Sequence, residues 1–167
     1  FMKYYYRVAK DVGNLTRTFC SALEVEHRNA TRKTGFKSFR KYSVVLGFQI
    51  SNGRLDVAND FEFERSPIKI LELFREAQKN GLDIHPNALR LLGRSLKRVD
   101  AELRANDRAN KIFFEVLTST MEPAIALRRM NESGVLGKFI LDFGRVVAQM
   151  QHDMYHVYTV DEQTIFA

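Results

Sequence analysis

The chain has 167 residues, 45% hydrophobic and 28% charged, enough for one ordinary domain with a real core; the composition argues against intrinsic disorder. No apolar run approaches the roughly 18 residues of a membrane span, and Phe1-Met2-Lys3-Tyr4 opens no signal-peptide core, so nothing points to secretion. The net charge of +6 makes nucleic acid a candidate partner, but the excess is local. No acidic residue lies between Glu26 and Asp56, where Arg28, Arg32, Lys33, Lys37, Arg40, Lys41 and Arg54 are all basic. Thr31, Thr34, Gly35 and Ser38 interleave with them, so the run over 28–41 reads as a solvated loop rather than a nucleic-acid surface, despite Phe36 and Phe39.

Residues 1–27 read as a helix, because Val8, Val12, Leu15, Phe19, Cys20 and Leu23 recur at helical spacing and form one stripe expected to be buried. Cys20, the single cysteine, is expected to be a small core residue on that stripe. A reducing, cytoplasmic compartment fits one unpaired cysteine. The period then changes to two: Tyr42, Val44, Leu46, Phe48 and Ile50 alternate with Ser43, Val45, Gly47 and Gln49. Asn52-Gly53 follows as a tight-turn signal, and Leu55 and Val57 resume the alternation. The expectation is a β-hairpin at 42–50 and 54–58 that lays its apolar face on helices.

From Ser66 onward the pattern is helical. Ser66 is expected to cap a helix that starts at Pro67, buries Ile70, Leu71, Phe74 and Ala77, and stops at Asn80-Gly81. Pro86 starts the next, carrying Leu89, Leu92, Leu96 and Val99. Asp107 is expected to cap a helix with Ile112, Phe113, Val116 and Leu117. Thr120 is expected to cap another, with Pro123 in its first turn, running to Gly134. A last helix over Val135 to Met150 carries Gly144, which either permits close packing or bends or divides it. The fold class is mainly α, a helical bundle with one β-hairpin.

Chemistry is sparse. There is no glycine-rich phosphate loop, no nucleophile elbow and no zinc spacing. His152, Asp153, His156, Asp161 and Glu162 crowd into eleven residues, a set from which a hydrolytic metal centre could be built. Without an HExxH-like companion, a polar helix end followed by a loop explains them better. His85 reads as a helix-start residue and His27 as surface. No catalytic, cofactor-binding or metal-binding residue is therefore assigned.

The tail does carry a resemblance. Phe143-Gly144-Arg145, Gln149-Met150-Gln151, Asp153, Tyr155-His156 and Tyr158-Thr159-Val160-Asp161-Glu162 follow the pattern FGRxxxQMQxDxYHxYTVDEHT. That pattern is the entry to the HD domain of bacterial protein-PII uridylyltransferases. Arg129 to Gly137 resembles the family's RMNExGVLG stretch, and Gly47-Phe48 with Asn52-Gly53-Arg54-Leu55 resembles its hairpin. Residues Phe1 to Tyr5 and Val8 to Gly13 resemble the segment after its nucleotidyltransferase domain. The resemblance implies a parent enzyme that moves UMP from UTP onto the PII signalling protein and removes it again under glutamine control, with Mg or Mn. Residues 1–150 would be its helical support domain and 151–167 the start of an HD-type domain, a piece cut from a longer cytoplasmic protein and inactive alone. Phe1 ahead of Met2 agrees with that expectation. Where the family places a metal-binding histidine after Asp-Glu, this chain has Gln163, a poor ligand for a transition metal. The alternatives are an RNA-binding helical body of a template-independent RNA nucleotidyltransferase and, more weakly, a metal hydrolase built on the tail.

Overall fold

Apolar residues spaced three and four apart set most of the elements, and the structure, a computed structural model, describes residues 2–31, 44–45, 47–51, 53–147 and 159–167. In chain order these are α1 (Met2–Thr31), β1 (Val44–Val45), β2 (Phe48–Ser51), β3 (Arg54–Val57), α2 (Glu62–Arg65), α3 (Ile68–Lys79), β4 (Asp83–Ile84) and α4 (Pro86–Ser95). A 3-10 turn over Leu96–Arg98 leads to α5 (Ala101–Ala105), α6 (Asp107–Leu117), α7 (Pro123–Glu132), α8 (Val135–Phe139), α9 (Leu141–Val146) and α10 (Val160–Phe166). The class is mainly α with a small sheet, as the patterning predicts.

The hairpin is present as β2 and β3, antiparallel, with Ser51 opposite Arg54 and the turn through Gly53 at φ +75°. The strand expected over 42–50 is corrected. Val44–Val45 doubles back on β2, with Val45 opposite Phe48 and Gly47 at φ +87°, so one alternating run makes two strands. Positive φ is nearly free for glycine, which lets the chain reverse inside an unbroken period-two pattern. β4 joins β3 in parallel and was not legible, since two residues carry no period.

α3 buries Ile70, Leu71, Phe74 and Ala77 as expected. Its end is a Schellman cap: Leu82 N–H donates to the Ala77 carbonyl at 2.9 Å and Gly81 N–H to Gln78 at 3.1 Å, with Gly81 at φ +60°. Three caps differ from expectation. Ser66 closes α2, and α3 starts behind Pro67 with no side-chain cap. Asn106, not Asp107, caps α6, its Oδ1 accepting from Ala109 N–H at 3.0 Å. Glu122, at φ +45°, rather than Thr120, precedes Pro123 at the start of α7. Asp100 caps α5 by accepting from Leu103 N–H at 3.1 Å. Asp100→Ala and Asn106→Ala are each expected to cost about 1 kcal/mol, a Tm drop of roughly 2–4 °C on thermal melting.

The expected last helix divides at Ile140 into α8 and α9, which fold against each other. One core runs through the sheet, α2 to α8 and α10: Phe48, Leu55, Phe63, Phe74, Leu92, Ile112 and Met130 are almost fully buried. α1 is the exception. It lies against α4, and its Glu24 accepts from Arg54 at 3.3 Å. Yet Val8, Val12, Leu15, Phe19 and Leu23 are 42–71% exposed, and Cys20 is exposed as well. The expected burial of this stripe is wrong within the described residues. Amphipathic spacing reveals that a face is apolar, not that this chain supplies its cover. The expected loop over 28–41 is corrected at its start, since residues 28–31 are still helical; 32–43 lie outside the described residues.

Candidate functional site

Three of the stretches carrying the resemblance, Arg129 to Gly137, Phe143 to Arg145 and Thr159 to Glu162, converge on one region, the junction of α7, α8, α9 and α10. α7 presents Arg128, Arg129, Met130 and Asn131 in consecutive positions. Consecutive residues on a helix point about 100° apart, so these four reach different surroundings. Met130 enters the core. Arg129 donates to the Leu82 carbonyl at 3.0 Å and pairs with Asp83, tying α7 to β4. Asn131 and Arg128 reach α10. The Asn131 amide donates to Asp161 Oδ2 at 2.9 Å, with both side chains buried, and Arg128 Nε pairs with Glu162 at 3.2 Å.

Asp161 is 0% exposed and Ile165 is buried beside it, so α10 is clipped to the body by a polar contact inside an apolar one. A carboxylate out of water must have hydrogen-bond donors, and the Asn131 amide is one of them. Gly134, at φ +79°, turns the chain from α7 into α8 and rests on Leu96. Gly137 of α8 and Gly144 of α9 then meet backbone to backbone: a Cβ on Gly144 would strike the Gly137 carbonyl oxygen, and one on Gly137 would lie 3.1 Å from the Gly144 Cα. Of the alternatives open for Gly144, close packing is what the structure shows.

Of the five tail residues weighed as a metal set, His152, Asp153 and His156 lie outside the described residues. Asp161 and Glu162 are turned to α7. Gln163 lies partly buried on the same helix. Among the described residues no group of three or more His, Cys, Asp or Glu side chains is placed to hold a metal ion. The described carboxylates Asp161 and Glu162, both engaged with α7, do not by themselves offer a site that fits Mg or Mn. His85 caps α4, its Nδ1 accepting from Asn87 N–H at 3.2 Å and lying 3.2 Å from Asp56. His27 is exposed.

Two buried acids on α3 escaped the sequence reading. Glu72 pairs with Arg108 at 2.6 Å, and Glu76 with Arg75 at 2.9 Å, which also reaches Glu115 at 3.2 Å. Burial lowers the Arg75 pKa, but its hydrogen bonds to Glu76 and Glu115 outweigh that and hold it above the ordinary arginine value, so it stays charged throughout. These pairs brace α3 against α6 and consume their charges. The one signal was position: Glu72 and Glu76 border the apolar stripe, where only a paired charge is tolerated. A groove between α3 and α7, lined by Phe74, Gly81, Met121 and Ile125, is mainly apolar. Its Gln78 and Arg129 are already bonded to backbone carbonyls. The described residues thus form a packed junction of α7, α8, α9 and α10.

A family model for the third domain of uridylyltransferase GlnD matches residues 48–139. Over its whole length the chain is 53% identical to the bifunctional uridylyltransferase/uridylyl-removing enzyme of Azospirillum brasilense. It spans 18% of the length of that relative. Neither match is to an RNA nucleotidyltransferase. No solved structure matches significantly. No helix among the described residues is long and apolar enough to cross a membrane.

Proposed function

This chain belongs to the family of the uridylyltransferase GlnD third domain, and from that we propose that it is the helical support domain of a bifunctional uridylyltransferase and uridylyl-removing enzyme. The parent transfers UMP from UTP to the PII nitrogen-regulatory protein and removes it in response to glutamine, in the cytoplasm and with no membrane or nucleic-acid partner. Its Mg or Mn sits in catalytic modules outside these residues. The observation that carries this reading is the 53% identity over the full chain to an enzyme named for both activities.

Residues 1–150 form the support domain, and 151–167 open the HD-type module. In its first described helix, α10, Asp161 and Glu162 stay fastened to α7. The domain's contribution is then positional: it holds the chain that enters the removing module at a fixed angle to the helical body. The test compares the full-length protein with the 167-residue chain, each given PII, UTP and Mg or Mn. The full-length protein is expected to label PII and the chain alone to leave it unlabelled; labelling by the isolated chain sinks the assignment.

A further inference from the structure

The exposed stripe on α1 follows a stricter rule than ordinary amphipathicity. Tyr5, Val8, Val12, Leu15, Phe19 and Ala22 are spaced 3, 4, 3, 4 and 3, the a/d seam of a helix that packs along another helix. The seam runs about 26 Å at 1.5 Å per residue. No seam position is charged, and all six are exposed, whereas α1 meets the body at α4 and through Glu24. We propose that this seam is a docking surface for an apolar helix belonging to the same, longer polypeptide. The proposal rests on the reading of the chain as one domain of a larger enzyme.

Spacing and area select the occupant. A repeat of 3.5 residues fits the ridge of a helix, and a sheet or loop would not match its holes. Covering Tyr5, Val8, Val12, Leu15 and Phe19 together with Leu23, which flanks the seam, removes on the order of 600 Å² from this side, about 1,200 Å² in total, which suits domain contacts within one chain. An obligate homodimer buries about 2,000 Å² or more, which this seam paired with its copy does not reach. The relative's length supplies the remaining chain, since 167 residues correspond to 18% of it.

The test places a thiol at the seam centre, Leu15→Cys with Cys20→Ser, in the full-length protein and in the 167-residue chain. In the full-length protein the thiol is expected to react at least tenfold more slowly, and adding Phe19→Glu should return it to the rate of the short chain. Equal rates in both overturn the proposal. So does slow reaction in a short chain that sediments as a dimer, because a second copy is then the cover. Should Leu15→Cys fail to fold, Val12→Cys with Cys20→Ser, the neighbouring seam position, allows the same comparison, read on its own peptide by mass spectrometry. Uridylyl transfer is measured on the same full-length sample. A protected thiol without transfer removes the functional reading and leaves the docking intact; transfer with a fast thiol does the reverse.

Discussion

Gly144→Ala is expected to destabilise the chain by about 3 kcal/mol, lowering Tm by roughly 6–12 °C. The cause is space. The added Cβ points at the backbone carbonyl of Gly137, and backbone cannot swing aside as a side chain can, so α8 and α9 must separate. Separation strips cover from Phe139 and partly buried Ile140 and Phe143. Gly93→Ala in α4 is the control with the opposite sign. It is the same substitution in a helix, nothing lies within 4 Å of its added methyl, and replacing glycine in a helix stabilises by about 0.5–1 kcal/mol. Equal effects at the two glycines, read by calorimetry, would remove the close-packing account of the GVLG and FGR stretches.

The contrast between these glycines marks what the sequence could and could not convey. Period and punctuation were legible: the α3 stripe, Pro86 at the start of α4, the turn at Gly53 and the break at Gly134 all follow from local chemistry. Caps slipped where two competent residues stand together, as Asn106 and Asp107 do, because composition does not rank neighbours. Gly47 hid a strand reversal within an alternation that continues on both sides. For α1 the pattern gave an apolar face, and burial was inferred from it; the cover is a long-range property that periodicity does not encode. The junction was legible only as a resemblance. Asn131 and Asp161 lie 30 residues apart, and nothing in their spacing announces a contact.

That contact carries the second large effect. Asn131→Ala is expected to release α10 from α7 at a cost of about 3 kcal/mol, since it deprives a buried carboxylate of a donor without giving it water. The loss should be local. α10 is a seven-residue helix at one edge of the body, packed on α7 and α9, so its opening leaves the α3–α6–α7 core standing. Hydrogen exchange should therefore quicken over 160–166 by about two orders of magnitude, with little change across α3 and α6. Glu162→Gln removes an ion pair that both partners hold partly in solvent, and is expected to alter the same amides by less than 1 kcal/mol. The ordering is the physical content: a buried amide–carboxylate bond outweighs the more exposed guanidinium pair one residue away. If Glu162→Gln loosened α10 as much as Asn131→Ala, the fastening would be surface electrostatics, and the buried Asp161 would not be what holds the junction.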